Sequence, residues 1–393
     1  MVNDRDNLGL RVLEPTLEPW RNDGSRRAVV VLMSGGVDSS TTALLLQQAG
    51  WQVLGVTMKI PVAEQCSGKT TCCGAEAGLV AHQLGICHYY IDVIEAFERL
   101  VIEPFRLAYA SGRTPNPCMD CNTFLKFDRV WNFLENTFGV RHLATGHYAR
   151  VVDQDGAARL ARADDRQKDQ SYFLYGMTRD RLSRLLLPLG SLSKPQVREL
   201  AQRHKLPVAQ RSESMELCFA GEGDYRRALD PESDGRSGPI LDLSGNVIGE
   251  HTGIANYTIG QRRGLGIAAG QPVYVVRINP IENSVTIGSM AEACRRRVTA
   301  ERMNILSPDQ LFSGARLYGK IRSTGEPAGC VVVRLDERVI SVDFDEPVFA
   351  PTPGQHLVLY DEQGRVVAGG TLFTADESGR GEYASCEMNQ WQG

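Results

Sequence analysis

The 393-residue sequence contains no apolar run that approaches the roughly 20 residues needed to cross a bilayer. The polar, acidic residues 1–27 resemble neither a signal peptide nor a transit peptide, and we interpret them as a flexible tail. Internal repeats and low-complexity segments are also absent. These absences predict a globular cytoplasmic protein, and its 42% of hydrophobic residues can build the cores of two or three domains.

The sequence also lacks a strong excess of charge, since its formal net charge is −4. This value argues against indiscriminate binding of polyanions, but local basic clusters suffice for RNA. Such clusters occur at residues 262–263, 295–297 and 320–322, and each is equally consistent with a solvated surface. Ten cysteines without a secretory signal indicate a reducing compartment, where clustered cysteines are usually redox-active or bind metal.

A glycine-containing stretch, Ser34–Ser40, organises the first half of the chain. It follows the apolar run 28–33 and continues into the apolar residues 41–46, which predicts a strand, a glycine turn and a helix start. The free N–H groups of such a helix start bind phosphate. Asp38 alone would repel phosphate, so it indicates Mg²⁺ between the carboxylate and the phosphates. The stretch lacks the Walker lysine, which argues against a kinase or GTPase, and an ordinary helix cap is the structural alternative.

Strands and helices alternate beyond this stretch and predict an α/β domain over residues 28–221. The predicted elements are strand 51–58, helix 74–84, strand 87–93, helices 94–110 and 123–138, strand 141–145 and helix 194–204. This order predicts a mostly parallel sheet covered on both faces, with loops 34–40, 113–122 and 146–147 converging at the carboxyl ends of its strands.

Short strands without helical periodicity follow a boundary placed near residue 221. They predict a small central β-rich domain over 222–293 and a C-terminal β-barrel over 294–393. The predicted strands are 272–279, 316–322, 329–335, 338–343, 356–360 and 365–373.

Three cysteines have positions that indicate chemistry. Cys118 and Cys121 form a C-x-x-C pair within residues 113–122, where two prolines predict a stiff loop, and Cys218 lies far along the chain. The C-x-x-C spacing brings two sulfurs within reach of each other or of one metal ion. A zinc site shared with Cys72 and Cys73 is the structural alternative, although the second C-x-x-C expected for it is absent.

Several motifs occur in one order between residue 28 and about residue 375. They are Ser34–Ser40, residues 114–117 with Cys121, Asn122, Lys126 and Phe127, residues 145–150, residues 168–173, Cys218 with Phe219, and residues 257–262. Together they resemble the tRNA-specific 2-thiouridylases, which are PP-loop (N-type) ATP pyrophosphatases. The resemblance implies an adenine nucleotide α-hydrolase-like fold and ATP-dependent replacement of the C2 oxygen of the wobble uridine of tRNA by sulfur. Transfer of AMP to that oxygen makes it a good leaving group.

The same resemblance implies roles for individual residues. Cys218 would carry a persulfide and Cys121 would resolve it, which leaves a disulfide. ATP would be bound by Leu32, Met33, Ser34, Gly35, Gly36, Val37, Asp38, Ser39, Ser40, Met58 and Gly146. The tRNA and its flipped target base would contact Asn116, Pro117, Cys118, His147, Lys168, Asp169, Gln170, Arg322, Ser323 and Gln355. For His147 the alternative is a core or capping histidine.

One departure from the family pattern leaves the sulfur chemistry open. Many members carry an aspartate, proposed as an acid/base, where this chain has Cys118, and the nearest carboxylate here is Asp120. Cys118, Cys121 and Cys218 could therefore hold a four-iron cluster with one open iron, as in related tRNA thiolation enzymes. A persulfide relay fed by a carrier protein and a cluster-dependent transfer from a hydrosulfide donor both remain hypotheses.

Two other function classes share the glycine stretch. An amidating synthetase of the same fold would also adenylate its substrate, although no glutaminase segment is recognisable. A non-catalytic RNA-binding or redox-sensing module would keep a vestigial nucleotide site. For the thiouridylase we expect ATP and Mg²⁺ as cofactors, tRNA as partner, and a monomer, with a dimer as the alternative.

Overall fold

The structure is a computed structural model that describes residues 8–15, 19–21, 24, 27–61, 75–211, 217–219, 225–229, 236–267, 270–336 and 338–373. Its strands are β1 (Arg11–Pro15), β2 (Ala28–Leu32), β3 (Gln52–Lys59), β4 (Cys87–Asp92), β5 (His142–Ala144), β6 (Ala149–Gln154), β7 (Ala157–Arg162), β8 (Leu185–Leu186), β9 (Gly238–Leu241), β10 (Val247–His251), β11 (Tyr274–Asn279), β12 (Ser284–Gly288), β13 (Cys294–Ile305), β14 (Arg316–Lys320), β15 (Ala328–Leu335), β16 (Val339–Phe349), β17 (His356–Tyr360) and β18 (Val366–Phe373).

Seven helices lie among these strands in the described ranges: α1 (Val37–Gln48), α2 (Ala75–Leu84), α3 (94–110), α4 (117–138), α5 (Arg179–Leu182), α6 (Lys194–Arg203) and α7 (Met290–Ala293). The hydrogen bonding of α3 and α4 widens to the π type over Glu98–Ile102 and Cys121–Val130. Short 3-10 turns occur at Ser171–Leu174, Pro188–Ser191, Tyr225–Ala228, Ile254–Asn256 and Pro308–Gln310. Among the described helices, none is both long and apolar enough to cross a membrane.

The first domain is built on a six-stranded sheet in the order β1-β4-β3-β2-β5-β8. The neighbours from β4 to β8 pair in parallel, and β1 adds an antiparallel edge. Four of the five residues of β2 are buried, as expected for a strand covered on both faces. This confirms the predicted mostly parallel sheet.

The predicted flexible tail is wrong in part, because Arg11–Pro15 forms strand β1. This segment pairs with the free edge of β4, whose backbone groups would otherwise lack partners. An ion pair of 2.9 Å between Arg11 and Asp92 accompanies the pairing. The partner strand lies about 80 residues away in sequence, so local composition carried no signal for it.

Two hydrophobic cores lie on the two faces of the sheet. One includes Phe97 and Phe105 of α3 with Leu125 and Trp131 of α4. The other joins β2 to α1, α2 and α6 through apolar side chains such as Val29, Ala43, Val80 and Ala201. Together they sandwich the sheet between helices, as the alternation of elements predicts.

Helix α4 begins at Pro117, six residues earlier than the predicted start at residue 123. Proline is compatible with the first helical position, because its fixed φ suits the helix and its missing N–H would have no helical partner there. The predicted stiff loop therefore ends at Asn116, and both Cys118 and Cys121 lie in the first two turns of α4. The helix ends at Phe138, and the next residue, Gly139, adopts the left-handed conformation with φ of 65°.

The rest of the chain is β-rich, as predicted. Strands β9 to β12 form a four-stranded sheet in the order β10-β9-β12-β11. The last six strands form a closed barrel in the order β13-β16-β15-β14-β17-β18, filled by side chains such as Val332, Ile340 and Leu357. Strand β13 was not predicted, because its run of three arginines from Arg295 obscures the alternation of polar and apolar residues.

Two predictions fall on residues without a description. Cys72 and Cys73, which the zinc alternative requires, lie outside the described residues, as does the boundary placed near residue 221.

Candidate active site

The glycine stretch connects β2 to α1 and has the geometry of an anion site. Gly35 has a φ of 75°, a conformation that L side chains rarely adopt, and Gly36 is the N-cap of α1 without a side-chain cap. The amide of Ser34 donates to Ser39 Oγ at 3.2 Å, and this hydroxyl donates to the Gly36 carbonyl at 3.2 Å. The hydroxyl of Ser40 is buried and has no hydrogen-bond partner among the described residues. The uncapped helix start and this hydroxyl can both serve a phosphate.

Leu32, Met33 and Val37 are buried and fix the two ends of the stretch in the core. Met58 lies near the end of β3, which pairs in parallel with β2. Gly146 follows β5 and packs against the start of α1, where a Cβ would lie 2.7 Å from the amide nitrogen of Ser39. The carboxyl ends of three neighbouring strands thus supply these residues, as expected for ligand sites in parallel sheets.

The carboxylate of Asp38 is held by two groups that sequence analysis did not assign to the site. Lys194 Nζ lies 2.8 Å from Oδ1 and 2.7 Å from Oδ2, and the hydroxyl of Tyr148 donates to Oδ1 at 2.9 Å. Lys194 is buried at the first position of α6, beside the predicted cap Ser193, which forms a capping box with Gln196. No signal in the sequence linked Lys194 to the glycine stretch.

The residues around the stretch are compatible with Mg²⁺ accompanying ATP. Mg²⁺ is commonly bound by one or two carboxylates together with phosphates and water, so Asp38 alone suffices as protein ligand. A second cation, Arg211, donates to the Gly35 carbonyl at 3.0 Å and pairs with Glu76 at 3.1 Å. Two cations from distant parts of the chain, Lys194 and Arg211, thus lie at the stretch, and each is paired with a carboxylate.

The first two turns of α4 carry the cysteine pair. Cys121 is buried and Cys118 is exposed, and both are free thiols. Desolvation raises the pKa of each thiol, and the ammonium of Lys126 opposes that shift. Lys126 Nζ donates to the side-chain oxygen of Asn122 at 3.0 Å, which keeps the charge on the cysteine side of the helix. In this structure both thiols are therefore protonated at neutral pH, and a nearby base is needed to produce a thiolate.

Asp120 has the raised pKa that such a base requires. Burial raises its pKa to about 7, and the charge of Arg302 on β13 only partly offsets this effect. Its carboxylate in turn raises the pKa values of Cys118 and Cys121. A carboxyl group with a pKa near neutrality can both accept and return a proton under physiological conditions.

Cys218 lies on the segment 217–219 and is exposed. The next residue, Phe219, packs edge-on against Phe97 and Phe105 of α3, with ring centroids at 5.8 and 5.4 Å. Within the described part of the chain, no three His, Cys, Asp or Glu residues form a group that could hold a metal ion. Cys118, Cys121 and Cys218 therefore do not form the donor set of a cluster in this structure.

His147 connects the two halves of the site. Its neighbour Gly146 touches the glycine stretch, while its own ring lies 6.1 Å from the ring of Phe127 on α4. Burial lowers the pKa of His147 to about 3, with a further contribution from Lys126. Thr145 Oγ1 lies 2.8 Å from its Nδ1. The imidazole is therefore neutral.

The three residues of the 168–170 motif differ in burial and in hydrogen-bond partners. Lys168 is partly exposed. Gln170 supports the backbone of Tyr148, whose amide donates to its Oε1 at 2.9 Å. The Asp169 side chain is completely buried and accepts hydrogen bonds from Arg162, the amide of Ala163, and the amide and hydroxyl of Ser171. The predicted contact of Asp169 with tRNA disagrees with this placement, because its oxygens face protein groups.

The barrel residues expected to contact tRNA also have protein partners. Arg322 donates to the Phe349 carbonyl and lies over the Phe349 ring, and the adjacent Ser323 is partly exposed. Gln355 donates to the carbonyl oxygens of Thr114 and Pro115. Asn116 is the N-cap of α4, and Pro117 is buried behind it. Gln355 thus contacts the chain at Pro115, two residues before α4 begins at Pro117.

Comparison with known proteins places this geometry in a family. Three family profiles cover most of the chain: "tRNA methyl transferase HUP domain" matches residues 27–222, "tRNA methyl transferase PRC-barrel domain" matches 228–289, and "Aminomethyltransferase beta-barrel domain" matches 295–372. The curated relatives are named for thiolation instead. The tRNA-specific 2-thiouridylase MnmA of Carboxydothermus hydrogenoformans is 43% identical over 89% of this chain and 98% of its own length. The MnmA of Koribacter versatilis is 41% identical over 84% of this chain and 94% of its own length.

Among solved structures, the U34-tRNA thiolase NcsA from Methanococcus maripaludis with its [4Fe-4S] cluster is 16% identical, with a TM-score of 0.33. The match covers 50% of this chain and 62% of that chain, and at this level it carries no argument about mechanism. The sequence relatives, in contrast, match nearly their whole length at about 40% identity. The chain therefore belongs to the tRNA-specific 2-thiouridylase family.

Proposed function

We propose that this protein catalyses ATP-dependent 2-thiolation of the wobble uridine of tRNA. The observation that carries the proposal is the pair Gly146 and His147. Gly146 packs on the phosphate-binding stretch at Ser39, and the next residue lies against the helix that bears Cys118 and Cys121. A nucleotide site and a thiol site are thus joined by two consecutive residues, as expected if one substrate atom is first adenylated and then replaced by sulfur.

The first step is adenylation. The C2 oxygen of the uridine attacks the α-phosphate of ATP, the bond to the β-phosphate breaks, and pyrophosphate leaves. The helix start after Gly36 and the hydroxyl groups of Ser34 and Ser40 offer donors for phosphate oxygens. Mg²⁺ held by Asp38 would supply charge neutralisation for the phosphates. The residues 116–118 would hold the flipped base, with His147, Lys168, Gln170, Arg322 and Ser323 as further contacts to tRNA.

The second step is sulfur transfer by a persulfide relay. The terminal sulfur of a Cys218 persulfide attacks C2, and AMP leaves with the former C2 oxygen. The Cys121 thiolate then attacks Cys218 Sγ, which releases the 2-thiouridine and leaves a Cys121–Cys218 disulfide that a cellular thiol must reduce. Exposure of Cys218 suits loading by a persulfide carrier protein, and Asp120 can take the proton of Cys121. We derive no step through an iron–sulfur cluster, because the described cysteines do not gather to hold one.

The test is thiolation of tRNA by the purified protein with ATP, Mg²⁺ and a persulfide donor, followed by mass spectrometry of the nucleosides. AMP and pyrophosphate should form only when tRNA is present. Cys121→Ser and Cys218→Ser should abolish thiolation, whereas Cys118→Ser should retain it, and Cys294→Ser on the barrel serves as a matched control. AMP formation without tRNA would indicate an amidating synthetase, and indifference to Asp38→Asn would indicate a non-catalytic module.

A cluster-dependent transfer makes the opposite prediction for Cys118. The protein purified without oxygen would then be brown, contain iron and sulfide, and lose activity in Cys118→Ser. A colourless, iron-free anaerobic preparation that is fully active with a persulfide donor supports the relay.

A further inference from the structure

Glu326 is an exposed carboxylate in a barrel loop that the proposed function assigns to tRNA. The loop consists of residues 321–327 between β14 and β15, and it includes Arg322 and Ser323. The Glu326 side chain is 65% exposed. A carboxylate at such a position repels the phosphate backbone of a nucleic acid, so the residue itself does not favour tRNA binding.

The partner of Glu326 is an arginine of the first domain. The Arg162 guanidinium lies 3.0 Å from Glu326 Oε1 and 2.7 Å from Oε2, although the two residues are 164 positions apart in sequence. The same guanidinium lies 3.1 Å from Asp169 Oδ2, and the Arg162 side chain is only 9% exposed. Asp169 belongs to the 168–170 motif. One buried guanidinium therefore connects this motif to the barrel loop.

We propose that Glu326 is a positioning residue for tRNA, which holds loop 321–327 against the 168–170 motif through Arg162 so that both segments present one binding surface. The inference rests on the proposed function, since that function assigns Lys168, Gln170, Arg322 and Ser323 to tRNA. It adds a residue that does not itself touch tRNA.

The loop depends on side-chain contacts at its two ends. Its turn passes through Gly325, which has a φ of 85°, and a Cβ at this position would have no atom within 4 Å. Packing therefore does not fix the turn. Arg322 donates to the Phe349 carbonyl at one end, and Glu326 binds Arg162 at the other. Loss of the second contact would leave the loop to be ordered by tRNA, which costs affinity.

A second cation lies close to this ion pair and makes the electrostatic effect of Glu326 predictable. Lys320, the last residue of β14, is buried, and its ammonium lies 5.9 Å from the centroid of the Tyr172 ring. Burial lowers the pKa of Lys320, whereas the charges of Asp169 and Glu326 act in the opposite direction. Removal of the Glu326 charge makes this region more positive, which by itself attracts a polyanion. The positioning effect and the electrostatic effect of Glu326 on tRNA affinity therefore have opposite signs.

The experiment measures binding of an unmodified tRNA with a wobble uridine to the full chain by fluorescence anisotropy, without ATP or sulfur donor. Glu326→Ala should weaken binding by about threefold, the effect expected for the loss of one partly exposed ion pair. In thiolation assays the KM for tRNA should rise by the same factor, with kcat unchanged. Glu326→Gln keeps an acceptor for the guanidinium and should restore most of the affinity. Affinity of Glu326→Ala equal to or tighter than that of the parent would overturn the proposal.

Asp309→Asn is the matched control, because Asp309 of the barrel binds Arg159 of the first domain at 3.2 Å. This variant breaks an ion pair between the same two domains and should leave tRNA affinity unchanged. An equal loss in Asp309→Asn and Glu326→Ala would assign the effect to the domain contact in general and overturn the role of Glu326. The fold of Glu326→Ala is not at risk, since the Arg162 amide still donates to the Gly364 carbonyl at 2.9 Å.

A double variant tests whether Glu326 acts through its loop. Arg322→Met should weaken tRNA binding, and adding Glu326→Ala should then cause a smaller loss than it does in the parent. Fully additive losses would show that Glu326 acts independently of Arg322 and would contradict the proposal. Because the parent chain is measured in the same binding and thiolation assays, failure of the Glu326 variants would leave the thiolation proposal intact.

Discussion

The side-chain nitrogen of Gln355 lies 2.9 Å from the carbonyl oxygen of Thr114, so a residue of the C-terminal barrel holds the segment that leads into the cysteine helix. Two further contacts strengthen this junction. The Thr114 amide donates to the Pro353 carbonyl at 2.9 Å, and Thr114 Oγ1 donates to Thr258 Oγ1 of the central domain at 3.3 Å. Residues of three domains therefore meet at Thr114. This residue lies two positions before Asn116, which is the N-cap of α4.

Gln355→Ala should slow thiolation more than it weakens tRNA binding. Without the amide, the start of α4 loses its link to the barrel, and misplacing a reacting group by about 1 Å can cost 100-fold in rate. The measurement pairs single-turnover thiolation at saturating tRNA with the tRNA dissociation constant. Glu362→Ala, at an exposed barrel position, is the control. A loss confined to tRNA affinity would instead support the direct tRNA contact that the family resemblance implies.

Asp120→Asn should remove a pH dependence of sulfur transfer near neutrality. In the parent protein the transfer rate should rise with an apparent pKa of about 7, as the carboxylate becomes free to accept the Cys121 proton. The variant should be about 100-fold slower at pH 7.5 and lack that inflection. The readout is single-turnover thiolation between about pH 5.5 and about pH 8.5, which covers roughly 1.5 units on each side of the inflection. An unchanged pH profile in Asp120→Asn would show that another group is the base.

The raised pKa of Asp120 should also make the stability of the protein depend on pH. Its pKa of about 7 in the folded protein exceeds the ordinary 3.8, so the folded state binds this proton more tightly than the unfolded state. The resulting stability is fully present below pH 3.8 and is lost as the pH rises through about 7. Denaturation midpoints of Asp120→Asn relative to the parent should therefore improve as the pH rises across this range.

Gly146→Ala should weaken ATP binding without unfolding the protein. The added Cβ would lie 2.7 Å from the Ser39 amide nitrogen, so the start of α1 must shift at a cost of about 1–3 kcal/mol. Gly156→Ala is the control, because its φ of 78° strains the backbone but nothing lies within 4 Å of the new methyl group. Calorimetry with ATP should show a defect for the first variant only. Equal ATP affinities would remove Gly146 from the nucleotide site.

Asp169→Ala should lower stability rather than tRNA affinity. The change removes the buried carboxylate partner of the Arg162 guanidinium and leaves it only the exposed Glu326, at 2.7 Å, which should cost about 3 kcal/mol. Asp164→Ala, which breaks the more exposed ion pair with Arg150, should cost less than about 1 kcal/mol. Urea denaturation compares the two, and tRNA binding is measured well below the transition. Normal stability with impaired tRNA binding would restore Asp169 as a direct contact.

The sequence alone determined the features that depend on neighbouring residues. The apolar run before Ser34 and the glycines within the stretch predict the strand, turn and helix start, and all three are present. Alternating strands after residue 294 predict the barrel for the same local reason. The order of the motifs was sufficient to identify the family, because each motif lies within a short stretch of the chain.

The tertiary structure alone decided which distant residues meet. Lys194 reaches Asp38, Gln355 reaches Thr114, and β1 reaches β4, although no periodicity or spacing links the members of these pairs. It also decided that Asp169 is buried, since burial depends on the packing of whole elements. The sequence therefore predicts the phosphate-binding character of Ser34–Ser40. The position of Lys194 beside this stretch and the environment of the cysteines depend on the fold.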